Sequence, residues 1–394
     1  MKRLLQAPHR VFFLAAALNL LLASAWWGMT IAMRTAGMPA LLAAGVGPAP
    51  AHAFLMIFGF FPLFIFGFLF TAAPRWLGRP PPTRRDYLVP AALAVAGTWP
   101  LVPALAIHAP AAAGAALFLM AAWGWMLGHV VVLLHASRSG DRLHALLVTL
   151  ALGVGLGGLA AARNWLLTGS AAAASVMETL GLWGFLVPVF VTVSHRMIPH
   201  FTSTVVRGEP RWRPAWPLLA LVAASAGHGA LVLLAMPGWT WAIDLPAGAL
   251  VLYLSWRWGV RFVLRSPMLA MMHAGFAWLG AAWLLHGLQS ITASAGGPTL
   301  GLAPVHALAI GFLASLTLAM VSRVSAGGTA HASPDRMTLL VFALLQGAAL
   351  ARIAADLWIP AYIPLLVVAV TLWLAGFSGW AWRHVPFYWR PSRG

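Results

Sequence analysis

Residues 50–74 read PAHAFLMIFGFFPLFIFGFLFTAAP and contain no charged side chain. The stretch that follows, residues 75–86, reads RWLGRPPPTRRD and carries four arginines. A helix rises 1.5 Å per residue, so a hydrocarbon core about 30 Å thick needs about 20 apolar residues to be spanned. Residues 50–74 therefore predict one membrane-spanning helix that ends at a basic loop.

The same pattern recurs along the whole chain, in which 61% of residues are hydrophobic and 8% are charged. Backbone polar groups in lipid must be satisfied within each segment, which favours helices. We predict an all-α polytopic membrane protein, a single transmembrane domain over residues 1–394 with about 12 helices. The predicted helices cover about 11–33, 50–74, 87–107, 111–135, 143–168, 176–198, 215–236, 242–263, 268–292, 301–325, 337–357 and 360–382.

Basic residues mark one side of the membrane. Of the 24 lysines and arginines, 21 lie at the termini or in the loops that follow even-numbered segments. The positive-inside rule then predicts that both termini are cytoplasmic. The net charge of +17 is spread over many short loops rather than gathered on one face. We therefore expect contact with membrane lipid and no nucleic-acid partner.

Acidic residues are few, and none lies near the centre of a predicted helix. Glu178, Asp244 and Asp356 fall near outer helix ends, which argues against a carboxylate-lined proton pump. Arg352 stands four residues before Asp356 in the eleventh segment, a spacing that predicts a structural ion pair.

Histidine is the residue that can carry metal chemistry here. The chain has no cysteine, which excludes thiolate zinc sites, cysteine-ligated iron–sulfur clusters and covalently attached haem. Seven of its fourteen histidines are predicted to lie within the membrane, where an imidazole without a partner is costly. We predict a haem or metal site among them; the alternative for each ring is a hydrogen-bonded packing role. Four belong to an outer layer and three to the cytoplasmic half: His52, His228, His286 and His306, then His129, His195 and His273.

One glycine motif has a structural reading. Residues 153–158 read GVGLGG and match the dinucleotide-binding pattern, but they lie within a helix and follow no strand. Gly153 and Gly157 have the GxxxG spacing, which predicts close approach of another helix.

Longer motifs occur in order along most of the chain. Residues 52–59 read HAFLMIFG, residues 195–202 read HRMIPHFT, residues 272–278 read MHAGFAW, and residues 306–311 and 320–325 read HALAIG and MVSRVS. Together they resemble the NnrS family of membrane proteins.

The resemblance implies a bacterial inner-membrane protein that carries haem, of the b type, with copper also reported for the family. It implies a role in handling nitric oxide or a similar diatomic ligand during nitrosative stress. Carried over by position, it gives His52, His306 and His273 as cofactor ligands, with Arg196 and Arg323 as further cofactor-binding residues. His195, His228 and His286 are additional candidate metal ligands. No catalytic residue and no electron donor is predicted.

The chain departs from the family pattern where further ligands are expected. Phe54 and Leu55 stand where the family often has a histidine and an acid, and Gly328 stands where it often has a histidine. These departures weaken the prediction of copper more than that of haem. Two other functions stay open: a haem–copper type nitric oxide reductase, which needs a second metal, and a transporter with a histidine-lined path. A transporter predicts helices broken near mid-membrane in matching halves.

Overall fold

The computed structural model of the chain describes residues 3–43, 45–206, 212–325 and 334–389. Within these residues the secondary structure is helical, without strands, which confirms the predicted all-α multi-pass membrane fold. The long helices are α1 (Pro8–Thr35), α2 (Pro48–Trp76), α3 (Arg84–Ile107), α4 (Ala109–Ala136), α5 (Leu143–Thr168), α6 (Ala171–Val205), α7 (Ala215–Leu233), α8 (Trp241–Arg257), α9 (Pro267–Ser294), α10 (Ala303–Ser325), α11 (Arg336–Leu357) and α12 (Tyr362–His384).

Eleven helices of the described chain are long and apolar enough to cross a membrane, one fewer than the sequence predicts. The remaining segment, predicted at 242–263, forms α8 with only 17 residues. Helix α8 ends early because Gly259 takes a left-handed conformation with φ of +97°, and a 3₁₀ turn over Val260–Arg265 follows. Its length is at the lower limit of about 17–25 residues for a spanning helix.

Helix α6 is longer than predicted at its C-terminal end. The prediction stops at residue 198, whereas the helix continues to Val205 and includes His200. Hydropathy detects the lipid-embedded part of a helix, and α6 carries polar side chains beyond that part. Ser203 and Thr204 donate to backbone carbonyls within its last turn.

Three helices contain a π-helical stretch: Leu55–Phe60 in α2, Leu180–Leu186 in α6 and Ala307–Ala314 in α10. They are every fourth helix of the chain, and each stretch contains a Gly-Phe pair. Pro62 and Pro188 follow the first two stretches, and a proline cannot donate to the carbonyl four residues before it. A widened turn accommodates the proline, so both helices continue without a break.

At two of these stretches, a side chain from a neighbouring helix forms a hydrogen bond with the helix that contains the stretch. Asn19, fully buried on α1, donates through Nδ2 to the carbonyl of Gly59 at 2.7 Å. At α10, Gln346 donates to Ser315 Oγ at 2.8 Å and accepts from the Trp278 indole at 2.7 Å. These part-buried bonds join α10 to α9 and α11 just after its π stretch.

The glycines of α5 that meet other helices are not the predicted pair. A Cβ added at Gly153 would meet no atom within 4 Å, and one at Gly157 would meet only a side-chain carbon at 3.8 Å. A Cβ at Gly155 would lie 2.6 Å from Trp123, and Gly158 also packs closely. The GxxxG assignment is therefore wrong in register, since Gly155 and Gly158 face the neighbouring helices.

The helices divide into two compact units. One comprises Met1–Val189 with Val385–Gly394, and the other comprises Phe190–His384. The first contains α1 to α5 and the N-terminal part of α6, and the second contains the rest of α6 and α7 to α12. His52 thus belongs to the first unit, while the other histidines assigned as ligands belong to the second.

Candidate functional site

His52 lies in the first turns of α2 and is held by an aromatic neighbour. Its ring stacks on the indole of Trp27 from α1, with centroids 4.1 Å apart and planes inclined by 12°. The ring is half-buried. Face-to-face contact at this distance fixes the ring plane and leaves its edge, which carries the nitrogens, as the part that a ligand could meet.

His306 lies at the start of α10 and binds the backbone that precedes the helix. Its Nδ1 lies 2.9 Å from the carbonyl oxygen of Leu302. A carbonyl oxygen only accepts, so the ring must donate through an Nδ1–H, and the neutral ring then has its lone pair on Nε2. A metal-binding histidine characteristically donates its other ring nitrogen in this way.

His228 and His286 come together with an acid that the sequence did not pair with them. His228 Nδ1 of α7 lies 2.7 Å from Asp244 Oδ1 of α8, and both side chains are buried. The centroid of the His286 ring of α9 lies 5.0 Å from that of the His228 ring, edge to face. The indole of Trp283 also meets the His228 ring edge to face. The two rings are thus neighbours, as expected for histidines assigned to one layer.

His273 and His195, which the sequence analysis assigns to the cytoplasmic half, both lie in the second unit. Nδ1 of His273 lies 3.0 Å from Ser255 Oγ on α8, in a buried setting. His195 Nε2 lies 2.9 Å from the carbonyl of Pro214, and its ring meets Trp258 edge to face. Each ring therefore has a hydrogen-bonding partner in the packing between helices.

Arg323 is placed in the last turn of α10, far from His306. Its guanidinium lies 3.6 Å from the centroid of the Phe201 ring of α6, which is a close cation–π contact. At 1.5 Å per residue, roughly 25 Å of helix separates Arg323 from His306. One planar cofactor bound at His306 would not reach Arg323, so the residues assigned through the resemblance divide between the two ends of the helices. Arg196 lies toward the C-terminal end of α6, near Phe201, which Arg323 contacts.

The geometry does not assemble a ready metal cluster. Among the described residues, no three histidine or acidic side chains lie close enough together to hold a metal ion. Phe54 and Leu55, at two positions where the family often has ligands, are fully buried apolar residues. Gly328 lies outside the described residues. The donor set at His306 is therefore a single imidazole, which suits a haem iron, and no three-ligand copper site is found within the described ranges.

Sequence reasoning missed the partners of these histidines. Asp244 and Trp27 each lie on a different helix from the histidine they contact. The sequence does not show which faces of two helices meet. A spacing signal exists only within one helix, as for Arg352 and Asp356. Their predicted ion pair is confirmed, with Arg352 Nη1 2.7 Å from Asp356 Oδ2.

Comparison with known proteins gives one clear result. A family model described as NnrS protein matches residues 3–392, nearly the whole chain. No protein of curated function matches.

Proposed function

The chain belongs to the NnrS family, a family of nitric oxide-response membrane proteins, and we propose that it binds haem and, through the haem iron, nitric oxide. His306 and His52 are the proposed iron ligands. The proposed location is the bacterial inner membrane.

The observation that carries this proposal is the hydrogen bond of His306. Its Nδ1–H is directed at the Leu302 carbonyl, so the ring orientation and tautomer suit iron binding through Nε2. His52 contributes a second imidazole whose plane is fixed by Trp27. A b-type haem fits a chain without cysteine, because it is held by its axial ligands and its packing alone.

Haem iron, when bound, would supply reversible coordination of a small diatomic ligand. The residues around His306 set how that ligand arrives. Ala307, Leu308 and Phe312, which follow on α10, are buried apolar side chains. They offer no hydrogen-bond donor and exclude water, so an apolar gas dissolved in lipid would reach this region more readily than an ion.

The two other functions receive less support. A transporter predicts broken helices, whereas α2, α6 and α10 pass continuously through their π stretches in the described chain. A haem–copper reductase needs a second metal beside the haem, and the proposal includes no copper because no three-ligand group is found in the described ranges. The proposal is therefore one of binding, without turnover.

The test is the reduced-minus-oxidised optical spectrum and the haem content of protein purified after expression with haem supplied. His52→Ala and His306→Ala are compared with His135→Ala. His135 is a matched control because its Nδ1 also lies 2.9 Å from the carbonyl four residues earlier, that of Val131, but it stands at the cytoplasmic end of α4.

We expect a Soret band in the wild type that shifts on addition of nitric oxide and persists in His135→Ala. Loss of haem in His52→Ala or in His306→Ala would support that histidine as an iron ligand. A wild type without a Soret band, or ligand variants with unchanged spectra, would reject the proposal and favour the transporter.

A further inference from the structure

The loop that leads into α10 is held by a buried ion pair on α11. Leu302, immediately before the helix, donates its backbone N–H to Asp356 Oδ2 at 3.1 Å. The same carboxylate oxygen lies 2.7 Å from Arg352 Nη1, one turn earlier in α11. Both charged side chains are 8% exposed, so the pair is shielded from solvent and strongly coupled.

The other side of the same residue holds the proposed iron ligand. The carbonyl of Leu302 accepts from the backbone N–H of His306 at 3.0 Å and from its Nδ1 at 2.9 Å. Leu302 therefore connects Asp356, through its N–H, to the imidazole of His306, through its carbonyl.

Comparison with His135 shows why the connection matters. The carbonyl that His135 meets belongs to Val131, inside α4, where the regular helix fixes its direction. Leu302 lies outside α10, at the position before its first residue, with φ of −98° and ψ of 10°. Its carbonyl accepts the first backbone bond of the helix, from His306, but no preceding turn holds its N–H, and Asp356 is the side chain that accepts that N–H and restrains Leu302 from the loop side.

Gly301 allows the carboxylate to lie against the loop. It has φ of +57°, and a Cβ at this position would lie 3.1 Å from Cγ of Asp356. Any larger residue would both strain the backbone and press on the carboxylate. The loop is thus shaped to bring its backbone into contact with Asp356.

We propose that Asp356, held by Arg352, is a positioning residue for His306: by restraining Leu302, whose carbonyl accepts from the ring, it favours the Nδ1–H tautomer and presents Nε2 for coordination. The positioning itself needs no haem; its use in binding iron rests on the proposed function.

The first experiment uses haem-free protein, so it does not depend on the proposed function. ¹⁵N-labelled histidine spectra report which ring nitrogen carries the proton, and the His306 signal is assigned by its loss in His306→Gln. We expect a single Nδ1–H tautomer in the wild type. In Asp356→Ala we expect most of the population to move to the Nε2–H tautomer that free imidazole prefers.

Two further variants keep the test decisive. Asp356→Ala leaves Arg352 buried without its counter-ion, so Arg352→Leu with Asp356→Leu removes both charges and guards against a folding defect. Gly301→Ala is compared with Gly296→Ala, since Gly296 also has a positive φ but a Cβ there would meet nothing within 4 Å. Loss of the tautomer in Gly301→Ala and in the double variant, but not in Gly296→Ala, supports the proposal. Retention of the Nδ1–H tautomer in Asp356→Ala or in the double variant overturns it.

The haem-loaded protein separates this inference from the proposed function. If the wild type binds haem, we expect Asp356→Ala to shift the Soret band and weaken haem retention, while Asp356→Glu restores part of both. A wild type that never binds haem but has the fixed tautomer would reject the proposed function and leave the positioning intact. Haem binding that is lost in His306→Ala but spectrally unchanged in Asp356→Ala would reject the positioning alone.

Discussion

Asp244 illustrates what a single buried charge demands inside a membrane. It is 0% exposed, one of its oxygens binds His228 Nδ1 at 2.7 Å, and its other oxygen has no hydrogen-bond partner among the described residues. Removing one member of a buried pair leaves the other uncompensated, whereas removing both replaces a polar pair by packing.

His228 and Asp244 should therefore behave as a coupled pair. His228→Leu should lower the free energy of unfolding by about 3–5 kcal/mol, because it leaves the carboxylate of Asp244 without a donor. His228→Leu combined with Asp244→Leu should cost less than His228→Leu alone. Denaturant unfolding in detergent micelles measures both. A double variant that loses as much free energy of unfolding as His228→Leu, or more, would show that the two side chains are not coupled.

For such residues, the sequence indicates which polar side chains are costly to bury but not which partner each one binds. Hydropathy and helix position place His228 and His286 at one depth, and the structure brings their rings to 5.0 Å. The partner of His228 comes from α8, and only the packing of α7 against α8 decides that Asp244 faces it. Pairs within one helix, such as Arg352 and Asp356, are the exception because the 3.6-residue repeat alone places them together.

Among the elements, the helices with π stretches depend on close packing around glycine and proline. The apolar runs predict that these helices exist. They do not predict a π stretch, which forms where a backbone carbonyl loses its N–H donor and a side chain of a neighbouring helix donates instead, as Asn19 does to Gly59. Glycine pairs show the same limit. Gly153 and Gly157 have the expected spacing, yet α5 is rotated so that Gly155 and Gly158 face the neighbouring helices. A repeat of small residues at several positions leaves that rotation undetermined.

The two registers of α5 make opposite predictions for alanine substitution. Gly155→Ala should destabilise the protein by about 1–3 kcal/mol, since its methyl group would overlap Trp123 and force the indole to move. Gly153→Ala should be neutral or slightly stabilising, because it adds helix propensity and meets nothing within 4 Å. Thermal unfolding of the two variants in the same detergent compares them directly. A larger loss in Gly153→Ala would restore the GxxxG interpretation.

For the molecule as a whole, the number of membrane crossings decides on which side each end lies. Eleven described helices meet the length of a span, and α8 has 17 residues. If α8 crosses, the chain has twelve spans and both termini share one side, as the arginine distribution requires. If α8 lies within one leaflet, every segment after it is inverted, and Arg257, Arg261 and Arg265 would face outward.

Labelling of single introduced cysteines distinguishes these topologies. The natural chain contains no cysteine, so the unsubstituted protein is the unlabelled control. Met236→Cys lies before α8 and Leu264→Cys lies after it; both residues are exposed, at 44% and 96%. We expect a membrane-impermeant maleimide added to intact cells to label Met236→Cys at once, and to label Leu264→Cys only after the membrane is opened. Ser139→Cys, in the loop between α4 and α5, provides a cytoplasmic reference that behaves like Leu264→Cys. Labelling of both α8-flanking cysteines from one side would mean that α8 does not cross, and that the positive-inside pattern fails for the second half of the chain.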